Sequence, residues 1–228
     1  MRKSALLIAS LCMAAVTPVL AQTKIENRLA ASAEVLSQIL GKPGKIPQTV
    51  LDRSVCVLVF PAVKKVGAGV GVSYGRGVIV CRPGADMNGA WSAPSMSKLD
   101  VGSLGPQLGE SSTDFVLLVE SKGAAGKVLT GRVKLGAGAS AVSGPTGATA
   151  ITTHDAKADI LTYSRTKNGL FAGVSLLSAS LDSDDEANKR LYGKAITTSQ
   201  IVLNRSTPIP LAAKALVREL SNASPKQM

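Results

Sequence analysis

Between Gly67 and Cys81 the chain reads GAGVGVSYGRGVIVC, with Gly67, Gly69 and Gly71 at a spacing of two. Successive residues of a β-strand point to opposite faces, so this spacing leaves one face of a strand without side chains. Glycine weakens a strand interior unless another backbone or an aromatic ring approaches there. A chain that repeats the device is committed to a closely packed sheet. Similar glycine-rich segments occur at KLGAGAS (134–140) and GLFAGVSL (169–176), without the fixed period of a repeat architecture. The continuous apolar run VCVLVFP (55–61) reads as a buried strand, and DFVLLVE (114–120) as another apolar strand.

Helices are expected at both ends. Thr23-Lys24-Ile25-Glu26 has the form of a capping box, and Ile25, Leu29, Ala33, Leu36 and Leu40 follow at helical spacing until Gly41 and Pro43. This stripe either packs on the domain core or lies on a membrane surface. A short helix follows Pro47 to about Arg53. The turn-rich stretch from Arg82 to Leu108, with the sole tryptophan at Trp91, reads as hairpin loops and one short strand. Ser183-Asp184-Asp185-Glu186 forms a second capping box for a helix through Tyr192, closed by Gly193. A last helix is expected to start near Thr207-Pro208 and to bury Leu211, Ala215, Leu216 and Leu220. The expected fold class is α+β: a mostly antiparallel, glycine-rich sheet or barrel flanked by N-terminal and C-terminal helices.

The first residues carry a basic tip (Arg2, Lys3), an apolar run from Ala5 to Ala15 and a small-residue exit at Val19-Leu20-Ala21. That is the pattern of a secretory signal peptide cut after Ala21, and it places the protein in the periplasm or outside the cell. Lipidation at Cys12 is the rival reading, disfavoured by Leu11 in front of it, where a small residue normally stands. Removing 21 of 228 residues leaves 207, the size of one domain (22–228). The mature charge is 24 basic against 15 acidic residues, or +9, which favours anionic partners. With aromatics at 3% there is little to stack bases on, so an anionic membrane surface is expected rather than nucleic acid.

Enzyme chemistry is poorly supplied. The sole histidine, His154, stands in the polar stretch TTHDAKAD, no GxSxG motif accompanies it, and it reads as a loop residue. His154 with Asp155 and Asp159 is too sparse a set for a metal. GAGVG lacks the third glycine and following helix of a dinucleotide site, and GPTG lacks the ending of a phosphate loop. The acidic run Asp182, Asp184, Asp185, Glu186 lacks the glycine and distal glutamate of a calcium loop and reads as a helix start. No catalytic residue, metal or cofactor is expected. The basic residues suggest more: Lys64 and Lys65 precede the first glycine-rich strand, Arg76 lies within it, and Arg165 and Lys167 precede the last. Adjoining strand ends would make them one cationic rim; otherwise they are scattered solubilising charge. Cys56 and Cys81 remain after cleavage and are either buried thiols or, if their strands pair antiparallel, a disulfide with Cα atoms roughly 4.4–6.8 Å apart. The disulfide is the reading adopted.

Six stretches carry a wider resemblance: VLVFPAVKKVGAGVGVSYGRGVIVCR (57–82), WSAPS (91–95), TDFVLLV (113–119), GASAVSGPTG (138–147), YSRTKNGLFAGVSL (163–176) and NKRLYG (188–193). In order and spacing the sequence resembles the SYLF domains of bacterial exported proteins and eukaryotic membrane-trafficking adaptors. The resemblance implies an α+β domain that binds anionic lipids without catalysis, helped by an N-terminal amphipathic helix. It implies lipid contact through Ile25, Leu29 and Leu36 and through Lys64, Lys65 and Arg76. The expected function is thus an exported, non-enzymatic domain that associates with anionic phospholipid surfaces; the alternative is a structural or protein-binding factor of the cell envelope.

Overall fold

The computed structural model describes residues 16–40, 46–66, 72–103, 112–136, 140–143, 158–166, 169–172, 176 and 179–225. Helices α1 (Val16–Leu40) and α2 (Gln48–Arg53) lead into strands β1 (Cys56–Val66), β2 (Val72–Cys81), β3 (Ser95–Ser103) and β4 (Thr113–Val119). Helix α3 (Lys122–Leu129) is followed by β5 (Arg132–Lys134), β6 (Ala141–Ser143), β7 (Ile160–Thr166), β8 (Gly169–Ala172) and β9 (Ser180–Ser183). The chain ends with α4 (Asp185–Tyr192), α5 (Thr198–Leu203), a 3-10 turn (Leu211–Ala213) and α6 (Lys214–Ala223).

All nine described strands form one sheet in the order β5-β9-β3-β2-β1-β4-β7-β6, with β8 also on β7. Its pairings are antiparallel except β6 with β7. Of the sheet and barrel alternatives, the sheet is what the described strands make, since β5 and β6 do not pair with each other. The expected α+β class holds.

The apolar runs at 56–60 and 115–119 have no polar alternation because the sheet is covered on both faces. Cys56, Leu58 and Phe60 of β1 join Phe115, Leu117 and Val119 of β4 in one core with α3 and α5. Val57, Val59, Val116 and Leu118 point the other way, into a second core with α1, α2 and α6. Each such buried Leu, Val or Phe contributes about 1.5–3 kcal/mol. Close backbone approach occurs at Gly77, where a Cβ would lie 2.0 Å from the Val59 carbonyl oxygen. There β1 shifts register, between Val59 and Lys64, with Ala62 at φ 50°. Gly67, Gly69 and Gly71, His154, Asp155 and the GPTG segment lie outside the described residues.

Cys56 and Cys81 are register partners on β1 and β2 and form a disulfide with Cα atoms 4.0 Å apart. The separation is shorter than expected because Cys81 turns its amide toward Ser92 Oγ, so the pair meets at a close, non-hydrogen-bonded ladder position. One end of the second core is closed by Arg82, whose buried guanidinium stacks 4.0 Å over Trp91. Arg82 donates to Gly89 O, Ser224 O and Ser224 Oγ, while Trp91 Nε1 donates to Ser224 O at 2.8 Å, tying this loop to the end of α6.

Several expected boundaries move. Helix α1 starts by Val16, so Thr23 lies inside it and its capping box marks no helix start. Asp184, not Ser183, is the N-cap of α4, while Gly193 closes the helix in the left-handed region as expected. Strand β3 has nine residues rather than a few. Helices α3 and α5 and strands β7 and β9 were not expected as such. Leu211 is exposed instead of buried, because Pro208 and Pro210 delay the last helix and put Ala213, Leu216 and Leu220 on its inner face.

Candidate functional site

Beyond the apolar core the inner face of β2 continues with Arg76, directly opposite Lys98 of β3. Both side chains stand on the face covered by α1, whose Ile25, Leu29 and Leu36 are buried against the sheet. That burial sets the angle of α1 about its axis. It turns Lys24 and Arg28, one helical turn apart, toward β2 and β3. Strand β9 stops at Ser183, and α4 continues along the freed edge of β3: Asp184 N donates to Met96 O, and Met96 N donates to Asn188 Oδ1. This junction fixes Asp184 in front of Arg76 and Lys98.

An open cavity of 660 Å³ results, lined by Ala21, Lys24, Ile25, Arg28, Arg76, Lys98, Asp184, Glu186, Ala187 and Arg190. Five cations face two carboxylates there, a net of +3. The Asp184 side chain, 2% exposed, meets three of the cations: Arg76 Nη1 at 2.6 Å, Arg28 Nη1 at 3.4 Å and Lys98 Nζ at 3.7 Å. One carboxylate cannot neutralise three cations. Burial lowers the Arg28 pKa, Asp184 opposes that shift, and the charge of Arg76 adds to it. Lys24 and Arg190 have no ion-pair partner among the described residues. The arrangement is a concave, partly desolvated surplus of positive charge, which attracts an anion more strongly than the same charges spread over an open surface would.

The expected cationic rim is only partly assembled here. Arg76 lines the cavity. Lys64 is exposed on the same sheet face, opposite Tyr74 of β2, which is two residues from Arg76 and 50% exposed. Arg165 is neutralised: its Nε and Nη2 both donate to Asp114 Oδ2, at 3.0 and 2.7 Å, because the two residues are direct partners on β7 and β4. The Lys65 side chain and Lys167 lie outside the described residues. Ile25, Leu29 and Leu36 pack in the core rather than face a membrane, correcting the lipid contact implied for them by the resemblance. Sequence reasoning missed Lys24, Arg28, Lys98, Asp184 and Arg190. The one available signal was the pair Lys24 and Arg28 flanking the apolar stripe. Among the described residues, no group of three His, Cys, Asp or Glu side chains could hold a metal ion.

A family model for Ysc84, described as "Las17-binding protein actin regulator", matches residues 100–223. LAS seventeen-binding protein 3 of Saccharomyces cerevisiae is 32% identical over 206 residues, 88% of this chain and 44% of its own length. Protein YSC84 of the same organism is also 32% identical over 206 residues, covering 88% of this chain and 43% of its own length. An SH3 domain-containing protein of Schizosaccharomyces pombe is 36% identical over 190 residues, 81% of this chain and 43% of its own length. The chain thus spans less than half the length of these relatives. The family match over more than half of the chain, joined to the motif resemblance, shows that it belongs to the Ysc84, or SYLF, family.

Proposed function

We propose that this domain docks on anionic phospholipid surfaces through the cavity between α1, β2, β3 and α4, without catalysis. The observation that carries the reading is the convergence of Arg28, Arg76 and Lys98 on the single carboxylate of Asp184, with Lys24 and Arg190 beside them. A phosphate headgroup supplies the missing negative charge and accepts hydrogen bonds from guanidinium groups in pairs. Tyr74, aromatic and exposed beside Lys64, suits the polar–apolar boundary of a membrane. The basic tip and apolar run of residues 2–15 add the proposal that the chain is exported and meets the membrane from the periplasm or from outside the cell. Flotation with phosphatidylcholine vesicles, with and without phosphatidylglycerol, tests the docking. Recovery should rise with the anionic lipid, fall with salt because exposed charge is screened within about 8 Å at physiological ionic strength, and fall in Arg76→Gln/Lys98→Gln. Equal recovery on both vesicles would remove the basis for the reading.

A second reading, a protein-docking module, draws on the family description and on the relative named for binding LAS seventeen. Affinity capture without detergent separates the two: a stoichiometric protein partner with no retained lipid favours the second.

A further inference from the structure

The connection from α5 to α6 reads Leu203-Asn-Arg-Ser-Thr-Pro-Ile-Pro-Leu211 and places three large apolar side chains in water. Leu211 is 81% exposed, Leu203 42% and Ile209 37%. Pro208 and Pro210 hold φ near −65° and remove two amide donors, so the segment around Ile209 cannot join a helix. Pro210 is extended at φ −56°, ψ 148°, and the helical phase starts only at Leu211. That phase sends Ala213 inward and Leu211 outward. Stiff backbone and absent partners together present Leu211 as a fixed apolar tip.

Its electrical surroundings are mainly positive: from Leu203 to Glu219 the chain has three cations, Arg205, Lys214 and Arg218, against one acid, Glu219. Its position is linked to the cationic cavity by α4, whose first turn lines that cavity through Glu186. The last residue of α4, Tyr192, lines a second opening of 540 Å³ together with Pro208. Eight helical residues span about 12 Å. Ala213, in the same 3-10 turn as Leu211, packs in the core that holds α1, and α1 also lines the cavity. The tip and the cavity therefore belong to one helical layer.

We infer that the Ile209–Leu211 turn is an apolar anchor that enters the interfacial zone of the same anionic phospholipid surface held by the cavity. The inference rests on the lipid-docking reading. Two exposed side chains on the turn, Ile209 and Leu211, with Leu203 at the end of α5, fall well short of the roughly 800 Å² per partner of a stable protein interface. A membrane needs no matching surface, since apolar side chains among cations gain both burial and attraction to anionic lipid.

The test places an environment-sensitive nitrobenzoxadiazole probe on Leu211→Cys in the exported chain from Gln22 onward, which lacks Cys12 and the apolar run before it; Cys56 and Cys81 are buried in their disulfide and do not react. Phosphatidylcholine vesicles with phosphatidylglycerol should shift the probe emission to the blue and let brominated lipid chains quench it, with far weaker effects on phosphatidylcholine alone. Leu211→Ser, at a site too exposed to affect folding, should weaken vesicle binding about tenfold. Binding to anionic vesicles with unchanged probe emission overturns the anchor and leaves the cavity reading standing. A shift of equal size on neutral vesicles also overturns it. Absence of binding to either vesicle overturns the cavity reading and the anchor with it.

Discussion

Asp184 holds the site together and also occupies it. Its carboxylate joins cations from α1, β2 and β3 at the first turn of α4, and the same bonds satisfy charges that a phosphate would otherwise attract. Asp184→Asn keeps the shape and frees one unit of positive charge, so binding to anionic vesicles should tighten about fivefold. Thermal stability should fall, since Arg28 is left in a part-buried place without its carboxylate. Titrating vesicle binding alongside a melting curve reads both effects, and weaker binding at full stability would contradict the assignment. Glu120 offers a test on pH. Its carboxylate lies between Arg53 and Ser54, which donate at 3.0 and 2.8 Å. Burial nonetheless raises its pKa above the ordinary 4.5, with both partners opposing the shift. A raised carboxyl pKa means that the folded chain holds the proton more tightly, so stability is fullest below 4.5 and declines as pH rises through the folded value. Glu120→Gln removes that ionisation. The melting temperature of the parent should therefore drop relative to the variant as pH is raised across this interval.

Elements differ in how their glycines serve them. At Gly77 the space for a side chain is taken by the Val59 carbonyl oxygen, 2.0 Å from an added Cβ, and by the Phe60 ring, whose Cδ1 lies at 2.6 Å. Gly77→Ala must push β1 from β2 and should cost about 3 kcal/mol. Gly126, on the outer side of α3, has nothing within 4 Å of such a Cβ. Gly126→Ala should stabilise by about 0.5–1 kcal/mol, because alanine loses less backbone entropy in a helix. Denaturant melts of the two variants check both signs. Helix α3 is anchored at its start by Ser121, whose Oγ accepts from Ala124 N and donates to Asp159. Burial alone would raise the Asp159 carboxyl, but hydrogen bonds from Ser140 and Ser121 outweigh it and hold it below the usual value. Helix α3 escaped sequence reasoning because KGAAGKVL offers two glycines and only a short apolar face. Helix α5, six residues long, escaped for want of a full amphipathic repeat, although Thr197 and Gln200 cap it reciprocally.

For the whole molecule, the Cys56–Cys81 bond closes a sequence separation of 25 at the centre of the sheet. The chain-entropy estimate assigns it about 3.5 kcal/mol, which in a domain of this size corresponds to roughly 10 °C in Tm. Calorimetry with and without reductant measures it, and vesicle binding below the lowered Tm should persist because the cavity uses neither cysteine. What the sequence by itself determined is what local covering demands: the apolar runs of β1 and β4, the helical spacing of the α1 stripe and the left-handed stop at Gly193. These features are written in the residues of their own element, so each can be read without knowing its neighbours. Tertiary structure alone decided which charges meet. Arg165 is paired with Asp114 through a register match, the core claimed Ile25 and Leu29, and Lys24, Arg28, Arg76, Lys98 and Arg190 converged from four elements. Coulomb interaction depends on distance in space and on burial, and neither leaves a period in the sequence.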